Sequence, residues 1–294
     1  MIARLLLLIG CVLALAGCGE DRTPAAAGPS PTPLLYEVSD SGGAVRGWLF
    51  GTIHALPDET RWRTGTLENA IDSADLLLVE IADLTDTAGL SAVFSRLATS
   101  PGHPPLTARV GAEDREAVAR LVERSGRDED DFANVETWAA ALMLAQIVDT
   151  GNAANGADRA IIAAFAGRNV RELEGAEAQL RVFDRLPESD QIDLLEGVID
   201  EIAERAAQPE ELRNAWLAGD EAALIEASNS GILADPELRQ ALLVDRNRAW
   251  IDAIVRTMDQ GDRPLVAVGA AHLVGPDGLA RLLQDRGFTV ARIQ

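Results

Sequence analysis

Lysine is absent from this 294-residue chain, so all 26 basic side chains are arginines, set against 47 acidic ones for a net charge of −21. A field of that sign repels phosphate backbones and argues against a nucleic-acid partner. Cysteine occurs only at positions 11 and 18, within the first eighteen residues. The rest of the chain therefore has no thiol for a disulfide scaffold, a thiolate zinc site or a cysteine nucleophile. There is no glycine-rich phosphate loop with lysine, no HExxH and no GxSxG turn. Only three histidines exist, His54, His103 and His272, and the first and last of them share one local context.

The amino terminus has a positive start at Arg4, an apolar stretch from Leu5 to Leu15, and Leu15-Ala16-Gly17-Cys18. That stretch is too short for a membrane span and has the proportions of a signal segment. Its end resembles a bacterial lipoprotein signal, which implies cleavage after residue 17 and lipid on the Cys18 thiol. The expectation is an exported protein of the cell envelope, facing the periplasm and held to the bilayer through acylated Cys18. Residues 18–33, rich in proline and poor in apolar side chains, read as a flexible tether. Globular structure is expected over residues 34–294.

Two strands, Leu34 to Val38 and Val45 to Phe50, precede a helical pattern from Thr66 to Asp75 with Thr66 as its cap. LLLVEI, residues 76–81, comes next as a buried strand. Strand, helix and strand over this length form a βαβ unit, which places both strands in one parallel sheet. Helical patterns then dominate, over 112–124, 135–148 with Asn134 as cap, 159–167 with Asp158 as cap, 176–186, 188–207, 211–226 and 235–258. Val170 to Leu173 is a strand between them. Pro264 to Val268, a helix from Pro276 to Asp285 and Phe288 to Ile293 read as a second βαβ unit. The expected class is α/β (or α+β), with a mixed, largely parallel sheet from two βαβ-like halves and a helical insertion over about residues 110–260.

GTIH places His54 three residues after Gly51, and GAAH places His272 three residues after Gly269, each behind an apolar strand. Ligands collect at the carboxyl ends of parallel strands, and glycine can turn the chain there to present an imidazole. Glu80 ends the LLLV strand, where a buried carboxylate requires a cation, a metal or backbone donors. Two imidazoles and one or two carboxylates make an N/O shell for zinc, manganese or cobalt. Read without the metal, both histidines are loop residues satisfied by carbonyls and Glu80 is the partner of an arginine. Glu174 comes just after the short middle strand. Arg246 and Asn247, in DRNRAW, lie on a polar helical stretch where an arginine can hold a carboxylate or steady an oxyanion. Asp158 is read as a helix cap, and His103, in PGHPP, as an exposed turn residue.

The segments WLFGTIHALPDE, LLLVEI, GADRAI, VRELEGAEAQL, DRNRAW and AVGAAHLVGPDGLARLLQDRGFTV together resemble the TraB/GumN family, which also includes relatives of the Tiki proteases. The resemblance covers nearly all of the chain after residue 34. It implies a metal-dependent hydrolase, a peptidase acting on a peptide or protein substrate in the envelope. His54, His272 and one glutamate would hold a divalent ion, Glu80 as ligand or support and Glu174 as base. Arg246 and Asn247 would complete the site, with Asp158 as a further motif position. The family also contains members for which catalysis is not secure, so a non-catalytic binding or regulatory module using the same cleft is the alternative.

Overall fold

The computed structural model describes residues 30–294, except 85, 147–150 and 208–209. The signal segment, Cys18 and most of the tether lie outside the described residues. Six strands form one mixed sheet: β1 Leu35–Ser39, β2 Val45–Thr52, β3 Leu76–Val79, β4 Val170–Glu172, β5 Pro264–Gly269 and β6 Thr289–Arg292. Their order is β4-β3-β5-β2-β1-β6. The pairs β4–β3, β3–β5 and β5–β2 are parallel, whereas β2–β1 and β1–β6 are antiparallel.

The helices are α1 Gly65–Ser73, α2 Thr87–Leu97, α3 Leu106–Arg109, α4 Arg115–Arg124, α5 Thr137–Ala145, α6 Ala157–Ala164 and α7 Ala176–Asp184. They continue with α8 Glu188–Ala207, α9 Glu211–Ala218, α10 Glu221–Ala227, α11 Pro236–Arg239, α12 Asp245–Asp259 and α13 Leu279–Asp285. A single π turn, Gln240–Val244, joins α11 to α12.

The first βαβ unit, β2-α1-β3, is parallel as expected, with β5 lying between its two strands. Buried positions in β3 and β5 are almost continuous because both strands are interior and covered on both faces. Helix α1 buries Leu67, Ala70 and Ile71, one face of the predicted pattern, but its cap is Thr64, whose hydroxyl accepts from Leu67 N at 3.2 Å. The second βαβ unit, β5-α13-β6, also has parallel strands, but β2 and β1 lie between them, so β5 and β6 are not neighbours. After α13 the chain crosses to the far edge, where β6 pairs antiparallel with β1. Pro276 lies before α13 rather than in its first turn.

Two apolar clusters form the core of residues 31–294. One surrounds the sheet and includes Leu49, Phe50, Leu78, Val266 and Trp250. The other lies among α2 to α5, α8 and α11, centred on Trp138, Leu144, Leu194 and Leu238. The continuous apolar run of α5 is buried there, although its flanking position is Glu136 rather than Asn134. The predicted end of that helix near Val148 lies outside the described residues. The long pattern over 211–226 is two helices, because Gly219 takes a left-handed φ of 60° and Asp220 caps the second. Among the described residues no helix is long and apolar enough to cross a membrane.

Candidate functional site

Four parallel strands end along one edge of the sheet in the order β4, β3, β5, β2. Glu174 lies just past β4, Glu80 just past β3, Gly269 ends β5 with His272 close behind, and His54 lies just past β2. Neighbouring strands are about 4.8 Å apart, so strand order alone converts four distant sequence positions into adjacent ones. Backbone bonds extend the β3–β4 pairing into the loops, from Leu173 N to Val79 O at 2.8 Å and from Gly175 N to Glu80 O at 2.9 Å. This fixes the two glutamates side by side.

The glycines serve a different purpose from the one expected. Neither Gly51 nor Gly269 has a positive φ. Gly51 lies within β2, where an added Cβ would stand 3.1 Å from Ala270 Cβ and 3.2 Å from its Cα. It is small so that the His272 loop can lie on the strand. A Cβ on Gly269 would be 3.5 Å from Glu80 Oε1, an ordinary contact. Behind β2, Trp216 Nε1 donates to Gly51 O at 2.9 Å and Trp62 stacks on Phe50 at 5.9 Å, which anchors the strand before it reaches His54.

His54 is held by α6. Its Nδ1 is 2.8 Å from Asp158 Oδ2, and Ala157 N donates to the neighbouring Ile53 O at 2.8 Å. Asp158 is therefore not the cap of α6, whose flanking residue is Gly156. It orients an imidazole whose side chain is 71 % exposed. The hydrogen bond that Asp158 accepts from Nδ1–H, together with the carboxylate charge, raises the His54 pKa above its ordinary value.

Arg246 occupies the centre of the constellation. Its Nη2 donates to Glu80 Oε2 at 2.7 Å and also to Glu174 Oε1, and its Nε lies 3.1 and 3.2 Å from the two Glu174 oxygens. Nη1 donates to Leu242 O at 3.0 Å and points at His272 Nε2, 3.2 Å away. The guanidinium carbon lies 4.7 Å over the ring of Trp250, and that ring lies 4.5 Å from the His272 ring. The π turn before α12 sets the helical phase that delivers this side chain, a placement common at functional sites. Arg248, two residues on, is exposed.

His272 is buried, and its tautomer is set by its neighbour. Asn247 Nδ2 donates to His272 O at 3.2 Å and to Asp277 O at 2.8 Å. The amide oxygen must then face the ring, where it accepts from Nδ1–H at 2.7 Å. Nε2 is consequently the lone-pair nitrogen. Burial pushes the His272 pKa down to about 3, with Arg246 adding to the effect, so the ring is neutral at neutral pH.

The two glutamates are driven apart. Burial works against the Glu80 anion, but positive charge at His272, Arg246 and His54, together with a 2.9 Å bond from Gly269 N, holds its pKa at about 2. At neutral pH, with His272 uncharged, Arg246 is the standing cation of that set. Gln179 Nε2 adds a contact to Glu80 at 3.3 Å. Glu174 goes the other way. Burial, with a contribution from the nearby Glu80 charge, raises its pKa despite Arg246. Two acids sharing one cation are thus shifted in opposite directions, Glu80 down and Glu174 up.

The donor chemistry suits a divalent ion. Each imidazole has Nδ1 pinned to an oxygen, the outer contact typical of metal-bound histidine, and Glu80 is an anion. In the arrangement seen, however, no three His, Cys, Asp or Glu side chains among the described residues enclose a metal position. The Arg246 guanidinium takes both the His272 lone pair and Glu80 Oε2.

The structure thus joins Glu80, Glu174, Arg246, Asn247 and His272 in one contact network, while His54 stands at the end of the adjoining strand with Asp158 as its side-chain partner. Sequence reading missed Gln179, the π turn and Gly156. The signal for Gly156 was its place at the head of the GADRAI segment that also holds Asp158. His103 belongs to the helical lobe, with Ser100 at 2.7 Å and Glu136 at 3.7 Å. No match to a curated protein or to a solved structure is found. A comparison with protein families matches residues 34–292, a span that holds every residue of the site, and the chain belongs to the TraB/PrgY/gumN family.

Proposed function

We propose that this chain is a hydrolase of the cell envelope, a peptidase anchored through acylated Cys18 and facing the periplasm. In this reading the cleft at the sheet edge cleaves a peptide bond with the help of a divalent ion, zinc, manganese or cobalt. One observation carries the hydrolytic reading: two carboxylates with oppositely displaced pKa values share one guanidinium beside two imidazoles pinned at Nδ1. Oppositely shifted carboxylates beside imidazoles are the pattern that acid–base catalysis uses, which supports this reading.

His54 Nε2, His272 Nε2 and Glu80 would hold the ion. When bound, it would polarise the scissile carbonyl and acidify a water molecule. Asp158 keeps the His54 ring in orientation, and Asn247 keeps His272 in the tautomer with Nε2 free. Glu174, whose pKa is raised, accepts a proton from the attacking water and returns it to the leaving amine. Arg246 steadies negative charge on the substrate oxygen.

The seated Arg246 also supports a second reading, a non-catalytic binding or regulatory module in which the ion pairs only shape the cleft. Peptide cleavage by the purified full chain, with and without chelator, separates the two. Cleavage that chelator abolishes, and that is lost in His54→Ala and His272→Ala, supports the peptidase. Full partner binding in both variants with no cleavage supports the module.

A further inference from the structure

We infer that Arg246 is an internal cation that competes with the metal ion for its seat, so that metal binding requires the guanidinium to withdraw from His272 and Glu80. The inference rests on the metal reading above. Three observations carry it. The Nε2 lone pair of His272, which Asn247 leaves as its only free nitrogen, faces Arg246 Nη1 at 3.2 Å. Arg246 Nη2 lies 2.7 Å from Glu80 Oε2. One planar fork therefore covers two of the three donors a metal would need. A lone pair that accepts an N–H cannot also bind an ion, and two cations cannot share so small a space.

The rest of the surroundings suits a retractable side chain. Glu174 offers Arg246 a second carboxylate that is not needed as a ligand, with contacts from Nε as well as Nη2. Leu242 O accepts from Nη1 within the preceding π turn. Because Nη1 and Nη2 serve both sets of partners, withdrawal is a rotation of the whole side chain, in which the Nε contact to Glu174 is the one anion it can keep. Arg246 has a positioning and gating role in this scheme, with the occupied and vacated seats as its two states.

The test is a Zn²⁺ titration of the full chain by calorimetry, comparing wild type with Arg246→Gln and Arg246→Lys. Lysine retains the charge but lacks the fork that reaches His272 and the glutamates together. If the guanidinium blocks the seat, both variants bind Zn²⁺ about tenfold more tightly than wild type, equivalent to about 1.4 kcal/mol. In ¹⁵N-arginine-labelled wild type, the Nε–Hε resonance that Arg246→Lys removes shifts on Zn²⁺ saturation. Should Arg246→Gln fail to fold, the double variant Arg246→Gln/Glu174→Gln removes the uncompensated carboxylate and takes its place.

Tighter binding by Arg246→Gln alone, with Arg246→Lys equal to wild type, reduces the effect to net charge and overturns the inference. An unmoved resonance at saturation overturns it as well. In either case the metal reading survives. If Zn²⁺ binds none of the three proteins, or binds Arg246→Gln equally well after His54→Ala and His272→Ala, the metal reading itself falls and takes the inference with it.

Discussion

Asn247 and His272 lie on different elements, and the Asn247 amide grips His272 at both ends, accepting from ring Nδ1 at 2.7 Å and donating to its backbone carbonyl at 3.2 Å. The amide is fully buried and also holds Asp277 O. Replacing it with Leu leaves a ring N–H and two carbonyls without partners. Each stranded group costs about 1–3 kcal/mol, so Asn247→Leu is expected to lower unfolding free energy by at least about 3 kcal/mol. Urea denaturation checks this, and a loss below about 1 kcal/mol contradicts the grip.

The two site histidines give stability slopes of opposite sign. His272 has a pKa of about 3 when folded against about 6.5 unfolded. The unfolded chain binds the extra proton, so stability is fully present above about 6.5 and falls as pH drops toward 3. The separation corresponds to about 5 kcal/mol. Replacing His272 with Gln should flatten that acid limb, and denaturation midpoints from pH 7 to 4 measure it.

His54 runs in the other direction. Its folded pKa is raised by Asp158, so its contribution is present below about 6.5 and is lost as pH climbs through the folded value. The side chain is largely exposed, and solvent screens the pair, so the slope is shallow. Replacing Asp158 with Asn removes the charge while retaining an acceptor for Nδ1. The His54 pKa should then move down, as read from ring proton shifts by NMR. An unchanged pKa would mean that Asp158 does not set it.

Glycine substitutions should rank by what a methyl group meets. A Cβ on Gly156 falls 2.3 Å from the His54 carbonyl and 2.4 Å from Asp158 Oδ1. Gly156→Ala must displace the His54 loop, at about 1–3 kcal/mol, and shift the His54 resonances. Gly51→Ala, with its closest contact at 3.1 Å, should cost less, and Gly269→Ala, at 3.5 Å, least of all. Thermal melts of the three variants give the order, and a reversed ranking between Gly156 and Gly269 would refute the packing account.

Glu80 provides the acid-range counterpart. Its folded pKa of about 2 lies below the ordinary carboxylate value of about 4.3. Its stabilising contribution is therefore present above about 4.3 and lost as pH falls through 2. Glu80→Gln should be less stable than wild type at pH 7 and converge with it near pH 2, a pattern that equilibrium unfolding at the two pH values would reveal or deny.

Local pattern alone identified β2, α1, β3 and β5, because apolar runs and a helical face leave their period in a short window. It also placed His54, Glu80, Glu174 and His272 at strand ends. Those features depend on residues close together in the chain. Strand order does not. The insertion of β5 between β2 and β3, and the antiparallel return of β6 to β1, depend on pairings between distant segments that leave no local trace. The partner of His54 lies 104 residues away, and Arg246 lies 166 residues from Glu80. A helix cap and an orienting carboxylate look alike in sequence, as Asp158 shows. Sequence by itself determined which chemical groups the cleft could contain. Tertiary structure decided which of them touch, and set a guanidinium among them, because contact is a property of how distant segments pack rather than of how neighbouring residues repeat.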